Sequence, residues 1–159
     1  MTERGKTCCF TGHRQIPFNR KAQVQRTLET ELVRLVQERG ITCFCAGGAL
    51  GFDMMAAETV LRLRETRFPE LRLLLFLPCP QQAERWPAAD RARYQSLLNQ
   101  ADDCTYAAGQ YTKECMFVRN RQLVDRSSCC ICYLTKNSGG TAYTVRYAEE
   151  QGLDVYNLG

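Results

Sequence analysis

Short apolar runs alternate along the chain with longer stretches whose apolar positions recur at helical spacing. The pattern predicts a strand over residues 6–11, then a helix over Lys21–Arg39 with Val24, Leu28, Leu32, Leu35 and Val36 on one face. Gly40 ends that helix, and residues 41–46 read as a second strand. A helix over 52–67 carries Met55, Ala56, Thr59, Val60 and Leu63 on one face. Pro69 stops it, and 71–77 is a continuous apolar strand broken by Pro78-Cys79-Pro80. A polar helix over 87–100 follows, with Pro87 in its first turn. The rest reads as strand 103–107, helix 113–127, strand 129–134, a helix from Ser138-Gly139-Gly140 through about Gln151, and a closing strand 154–158.

Five strand–helix repeats and a last strand, with strands apolar on both faces, predict an α/β fold. The expected architecture is Rossmann-like and doubly wound, a mainly parallel sheet of about six strands with helices on both faces. The 159 residues fit a single domain over 1–159. No apolar run reaches the roughly 20 residues of a membrane span. The start, Met1 to Lys6, has no signal-peptide core, so a cytoplasmic location is expected. Assembly as a homo-oligomer is left open.

Composition adds two features. The net charge is +4, and all but four of the 21 basic residues are Arg. Arg62, Arg64, Arg67 and Arg72 form the densest basic stretch. It motivates a nucleic-acid reading, but the weak net charge and the lack of interleaved aromatics make nucleic acid the lesser expectation. The chain also has ten Cys. Most lie in strand-like runs, so reduced buried thiols are expected. His13 is the one histidine, and no metal site is expected.

Three strand-to-helix turns carry the candidate chemistry: Thr11-Gly12-His13-Arg14, Gly47-Gly48-Ala49-Leu50-Gly51-Phe52-Asp53, and Ser138-Gly139-Gly140-Thr141. In a parallel sheet all three lie at one edge. Glycine lets backbone approach a phosphate, and a helix start offers free N–H groups. The turns match neither the dinucleotide G-x-G-x-x-G fingerprint nor the Walker loop. Arg14 is a candidate phosphate fork, and His13 a hydrogen-bonding or proton-transfer group, or a structural one. Asp53 could accept a ribose hydroxyl or cap its helix. Glu58 is a second candidate carboxylate. Trp86 and Tyr94 are candidates for base stacking, or a hydrophobic cover. Arg119 and Asn120 are candidate pocket residues, with an Arg–Asp125 pair as the simpler alternative.

Taken together, Thr11-Gly12-His13-Arg14, Gly51-Phe52-Asp53 with Ala56-Ala57-Glu58, Trp86, Arg119-Asn120-Arg121 with Asp125, and Gly139-Gly140-Thr141 resemble the YpsA-like family of the SLOG superfamily, named for the Smf/DprA and LOG proteins. The resemblance implies a Rossmann-like fold and a sensor or regulatory protein binding an ADP-ribose-, NAD- or AMP-like ligand. LOG relatives are phosphoribohydrolases with a Gly-Gly-x-Gly-Thr-x-x-Glu motif. Here the segment runs Gly139-Gly140-Thr141-Ala142-Tyr143-Thr144-Val145-Arg146, without the second Gly-Thr pair or the Glu. A nucleotide or N-glycosidic hydrolase, with Asp53 or Glu58 catalytic, is therefore the alternative reading. A DprA-like single-stranded DNA binder is the third.

Overall fold

A computed structural model of the chain describes residues 2–159. Six strands form one sheet: β1 Thr7–Gly12, β2 Cys43–Ala46, β3 Arg72–Leu77, β4 Asp103–Tyr106, β5 Cys129–Tyr133 and β6 Asp154–Asn157. The helices are α1 Lys21–Arg39, α2 Phe52–Thr66, α3 Ala88–Gln100, α4 Cys115–Asp125 and α5 Gly140–Glu150. The strand order is β4-β3-β2-β1-β5-β6, and every pairing is parallel. The chain walks outward from β1 to β4, then returns through α4 to lay β5 on the other side of β1. With right-handed crossovers this reversal puts α1, α2 and α3 on one face and α4 and α5 on the other. The fold is the expected Rossmann-like α/β one.

Strand residues alternate between two cores. Phe10, Phe44, Leu73, Leu75 and Ile131 pack with Leu28, Leu32 and Val60 under the first three helices. Cys9, Cys45, Leu74, Cys130 and Cys132 pack with Leu123, Val124 and Val145 under the last two. Register sets Cys9 opposite both Cys45 and Cys130, a row of thiols across three strands. All ten cysteines are free, and nine are buried. Small thiols leave room for α4 and α5 to sit close to the sheet.

Several boundaries differ from the pattern by one or two residues, two of them for a visible local reason. Thr112, through its backbone and hydroxyl oxygens, accepts from the Cys115 amide, and α4 starts at Cys115 instead of 113. Pro87 precedes α3 in an extended conformation, its carbonyl accepting from Arg91 N–H, so it opens the helix from outside. Among the described residues no helix is long and apolar enough to cross a membrane.

The end of β1 is joined tightly to the start of α2. Gly12 lies under Phe52, where an added Cβ would stand 2.5 Å from the Phe52 side chain. Phe52 N–H donates to the His13 carbonyl at 3.1 Å. Gly51 has φ +82°, and the space of its missing side chain is filled by the backbone of Arg14. Gly51→Ala therefore meets both a left-handed backbone penalty and a collision with backbone that cannot rotate away. We expect a loss of about 2–5 kcal/mol in urea unfolding. Gly139→Ala, also at positive φ (+92°) but with open space around it, should lose only the backbone part, about 1–2 kcal/mol. Equal losses in the two variants would show that the β1 loop is not pinned at Gly51.

Candidate functional site at the carboxyl edge of the sheet

The reversal of strand order falls between β1 and β5, where open α/β sheets splay their loops apart. A cleft of about 1220 Å³ opens there. The loop after β1 (His13, Arg14 and on to Arg20 and Lys21), the segment after β5 (Thr135, Lys136) and the start of α2 (Gly51, Met55, Glu58) line it.

The charges in the cleft do not balance. Its two acidic side chains, Glu58 and Asp90, are both held by Arg93. Arg93 grips Glu58 through two hydrogen bonds, at 2.7 and 3.1 Å, and stands 3.7 Å from Asp90. Arg14, Arg20, Lys21 and Lys136 also line the cleft, and none makes an ion pair among the described residues. Four cations outside any ion pair around a concave surface concentrate positive potential where an anion can enter.

His13 ties the loops together. Its Nε2 accepts from Thr135 N–H at 2.9 Å, its backbone N–H donates to the Tyr133 carbonyl, and its ring meets Tyr133 edge-on. Accepting at Nε2 places the proton of the neutral ring on Nδ1. Burial, and then the Lys136 charge, push its pKa below 6.5.

Beneath the second glycine turn lies a buried polar layer. Arg119 donates to the Gly47 carbonyl, and through Nε to Asn120 Oδ1 at 2.8 Å. The Asp53 carboxylate lies beside Gly47, and its Oδ1 has no hydrogen-bond partner. Burial pushes Asp53 up to about 6, against the pull of Arg119 and the Ala49 and Gly47 amides. It caps nothing: Gly51 occupies the N-cap position, with no side-chain cap bond.

The glycines divide into two groups. At Gly12, Gly47, Gly48 and Gly51 the space a side chain would take is filled by Phe52, Arg119, Leu77 and Arg14 respectively. Gly139 and Gly140 are open, at the start of α5, with Asn120 Nδ2 at 4.0 Å from where a Gly140 Cβ would stand. No side chain caps α5, so its first N–H groups are free for an anion. Thr141 follows in the first turn.

The remaining candidates are engaged elsewhere. Trp86 and Tyr94 pack edge-to-face on each other, centroids 5.3 Å apart, and Tyr94 is buried. Asp125 accepts from Tyr147, not from an Arg, and Arg121 donates to Tyr143. The basic stretch is dispersed: Arg62, Arg64 and Arg72 pair with Glu29, Asp102 and Glu3, all far along the chain, and Arg67 lies over the ring of its neighbour Phe68. The cations that do gather are Arg20, Lys21 and Lys136, which the sequence reading passed over. The signal was their position, on segments directly following β1 and β5.

A model described as the YspA SLOG family matches residues 8–157. The chain belongs to the SLOG family. This SLOG chain is 26% identical over 132 residues to a UPF0398 protein of Bacillus cereus, covering 81% of this chain and 71% of the relative. It is 28% identical over 150 residues to a UPF0398 protein of Halalkalibacterium halodurans, covering 92% and 76%. Among solved structures it is similar to DNA processing protein A from Helicobacter pylori, described for its mode of binding single-stranded DNA, with TM-score 0.70 and 20% identity. It is also similar to DNA processing protein A of Streptococcus pneumoniae, with TM-score 0.66 and 16% identity. The matches cover 97% and 95% of this chain but only 65% and 49% of those chains. At such identities the likeness is one of fold.

Two pH effects follow. The single imidazole should titrate below pH 6.5 in an NMR titration of the folded protein, and Lys136→Ala should move it upward. Its bond from Thr135 adds stability above the ordinary histidine pKa, and that contribution is lost as pH falls through the lowered folded value. A midpoint at or above 6.5 would contradict the geometry. Asp53 works in the opposite direction. Its folded pKa is raised, so the unfolded state ionises first, and the chain loses stability as pH rises from about 4 through about 6. Asp53→Asn should therefore gain on the wild type over that window, by up to about 3 kcal/mol, and hold its lead above it. Denaturant unfolding at a series of pH values measures the gap; a constant gap would return Asp53 to the ordinary carboxylate range.

Proposed function

We propose that this SLOG chain binds a nucleotide or nucleotide-derived ligand, of AMP, ADP-ribose or NAD type, by its phosphates in the cleft after β1 and β5. The observation that carries this reading is the group of four cations, Arg14, Arg20, Lys21 and Lys136, none of which makes an ion pair among the described residues. Arg14 supplies a planar fork and Lys136 a mobile point charge, and the segment that carries Lys136 leads on to the uncapped start of α5. Binding fits the site better than hydrolysis does. Glu58 faces the cleft but is held by Arg93, and Asp53 is buried against Gly47 beneath the turn.

A single strand of nucleic acid is the second reading. The fold likeness to a protein described as binding single-stranded DNA favours it, and so does the cleft's size. At about 1220 Å³ it exceeds the roughly 300–1,000 Å³ of small-ligand pockets. The same cations would then follow a backbone.

Calorimetry with AMP, ADP-ribose and NAD, and anisotropy with a labelled oligothymidylate, test both readings. Arg14→Ala and Lys136→Ala should each weaken the bound ligand by about tenfold or more, the value of a lost charge-assisted hydrogen bond. A strand held by all four cations should lose affinity with a log–log salt slope of about −3. Phosphate arriving beside His13 should raise the imidazole pKa. No binding of any of these ligands would overturn the proposal.

A further inference from the structure

Phe18 is 91% exposed, the most exposed large hydrophobic side chain among the described residues. A lone exposed apolar residue is ordinary. The mounting of this one is not. It opens a tight turn over Phe18–Arg20, in which Arg20 N–H donates to the Pro17 carbonyl at 2.8 Å and Lys21 N–H to the Phe18 carbonyl. On one side the turn runs back to buried Ile16, and on the other directly into α1, whose Val24 is buried. Phe18 thus stands in a turn anchored at both ends, beside the cleft lining and not itself part of it. Its neighbours Pro17, Arg20 and Lys21 all line the cleft.

A bare aromatic face flanked by cations outside any ion pair is the arrangement that holds a base by stacking while the charges hold its phosphate. Among the described residues, the Tyr that lines the cleft, Tyr133, has no free face for this. Tyr133 is buried against Phe52 and His13, and Trp86 and Tyr94 cover each other. We propose that Phe18 is the stacking platform for a nucleobase of the ligand held in the cleft. The ligand is then a base-bearing phosphate, not a bare phosphate or a sugar phosphate. This rests on the reading that the cleft binds nucleotide phosphates. A free nucleotide and a single strand share the chemistry, and the arms of the test separate them.

The test compares wild type, Phe18→Ala and Phe18→Trp against four probes: ADP-ribose, an oligothymidylate, an abasic strand of the same length, and tripolyphosphate. Phe18→Ala should weaken base-bearing probes about tenfold, leave the abasic strand and tripolyphosphate unchanged, and leave Tm unchanged because the ring packs on little. Phe18→Trp should keep the affinity, and its added fluorescence over that of Trp86 should be quenched by base-bearing probes alone. A loss confined to ADP-ribose assigns a free nucleotide, and one confined to oligothymidylate assigns a single strand. Undiminished binding in Phe18→Ala overturns the stacking role and leaves the cleft standing. So does an equal loss for the abasic strand. If wild type binds no probe, the cleft and the platform fall together.

Discussion

The backbone of Arg14 lies against Gly51 so closely that no side chain fits between them. This contact brings the exit of the central strand onto the start of α2, and most of the carboxyl edge depends on it. It sets Gly12 beneath Phe52 and lets Phe52 donate to His13. His13 in turn reaches Thr135 after β5. Three segments distant in sequence are thereby joined by one residue's lack of a side chain and one imidazole. The loop after β1 is thereby pinned at its root, and the backbone that carries Arg14 is fixed against the start of α2.

Much of the fold was legible because its signal is periodic. Strands apolar on both faces and helices with one apolar stripe leave few alternatives to a doubly wound sheet. The site was harder, since its signals are ambiguous residue by residue. A glycine needed by a ligand and a glycine needed by Phe52, Arg119 or Leu77 look the same in sequence; only packing separates Gly12, Gly47 and Gly48 from the open Gly139 and Gly140. Charge misled for a related reason. Arg62, Arg64 and Arg72 are neighbours in sequence, yet each is neutralised by a carboxylate far along the chain. Arg20, Lys21 and Lys136 are scattered, yet the topology gathers them at one edge.

The edge has two levels with different work. Below, Asp53 and Arg119 brace the second glycine turn in surroundings that penalise both charges. Above, the loops after β1 and β5 carry charge into water. Loops of this kind can change their residues without disturbing the sheet. That fits a shared fold at 20% identity with a protein of about one and a half times this chain's matched span.

The thiol row across β2, β1 and β5 links the fold to its chemical surroundings. While the sheet is intact, Cys9, Cys45 and Cys130 have no accessible surface and oxidants cannot reach them. A molecule that unfolds presents ten thiols at once, within reach of one another along a flexible chain. In an oxidising medium any wrong disulfide that forms before the sheet reassembles traps the chain, and a reversible opening becomes a permanent loss. The same molecule under reductant simply refolds. The lifetime of this protein is therefore set by the redox potential around it together with the strength of its packing.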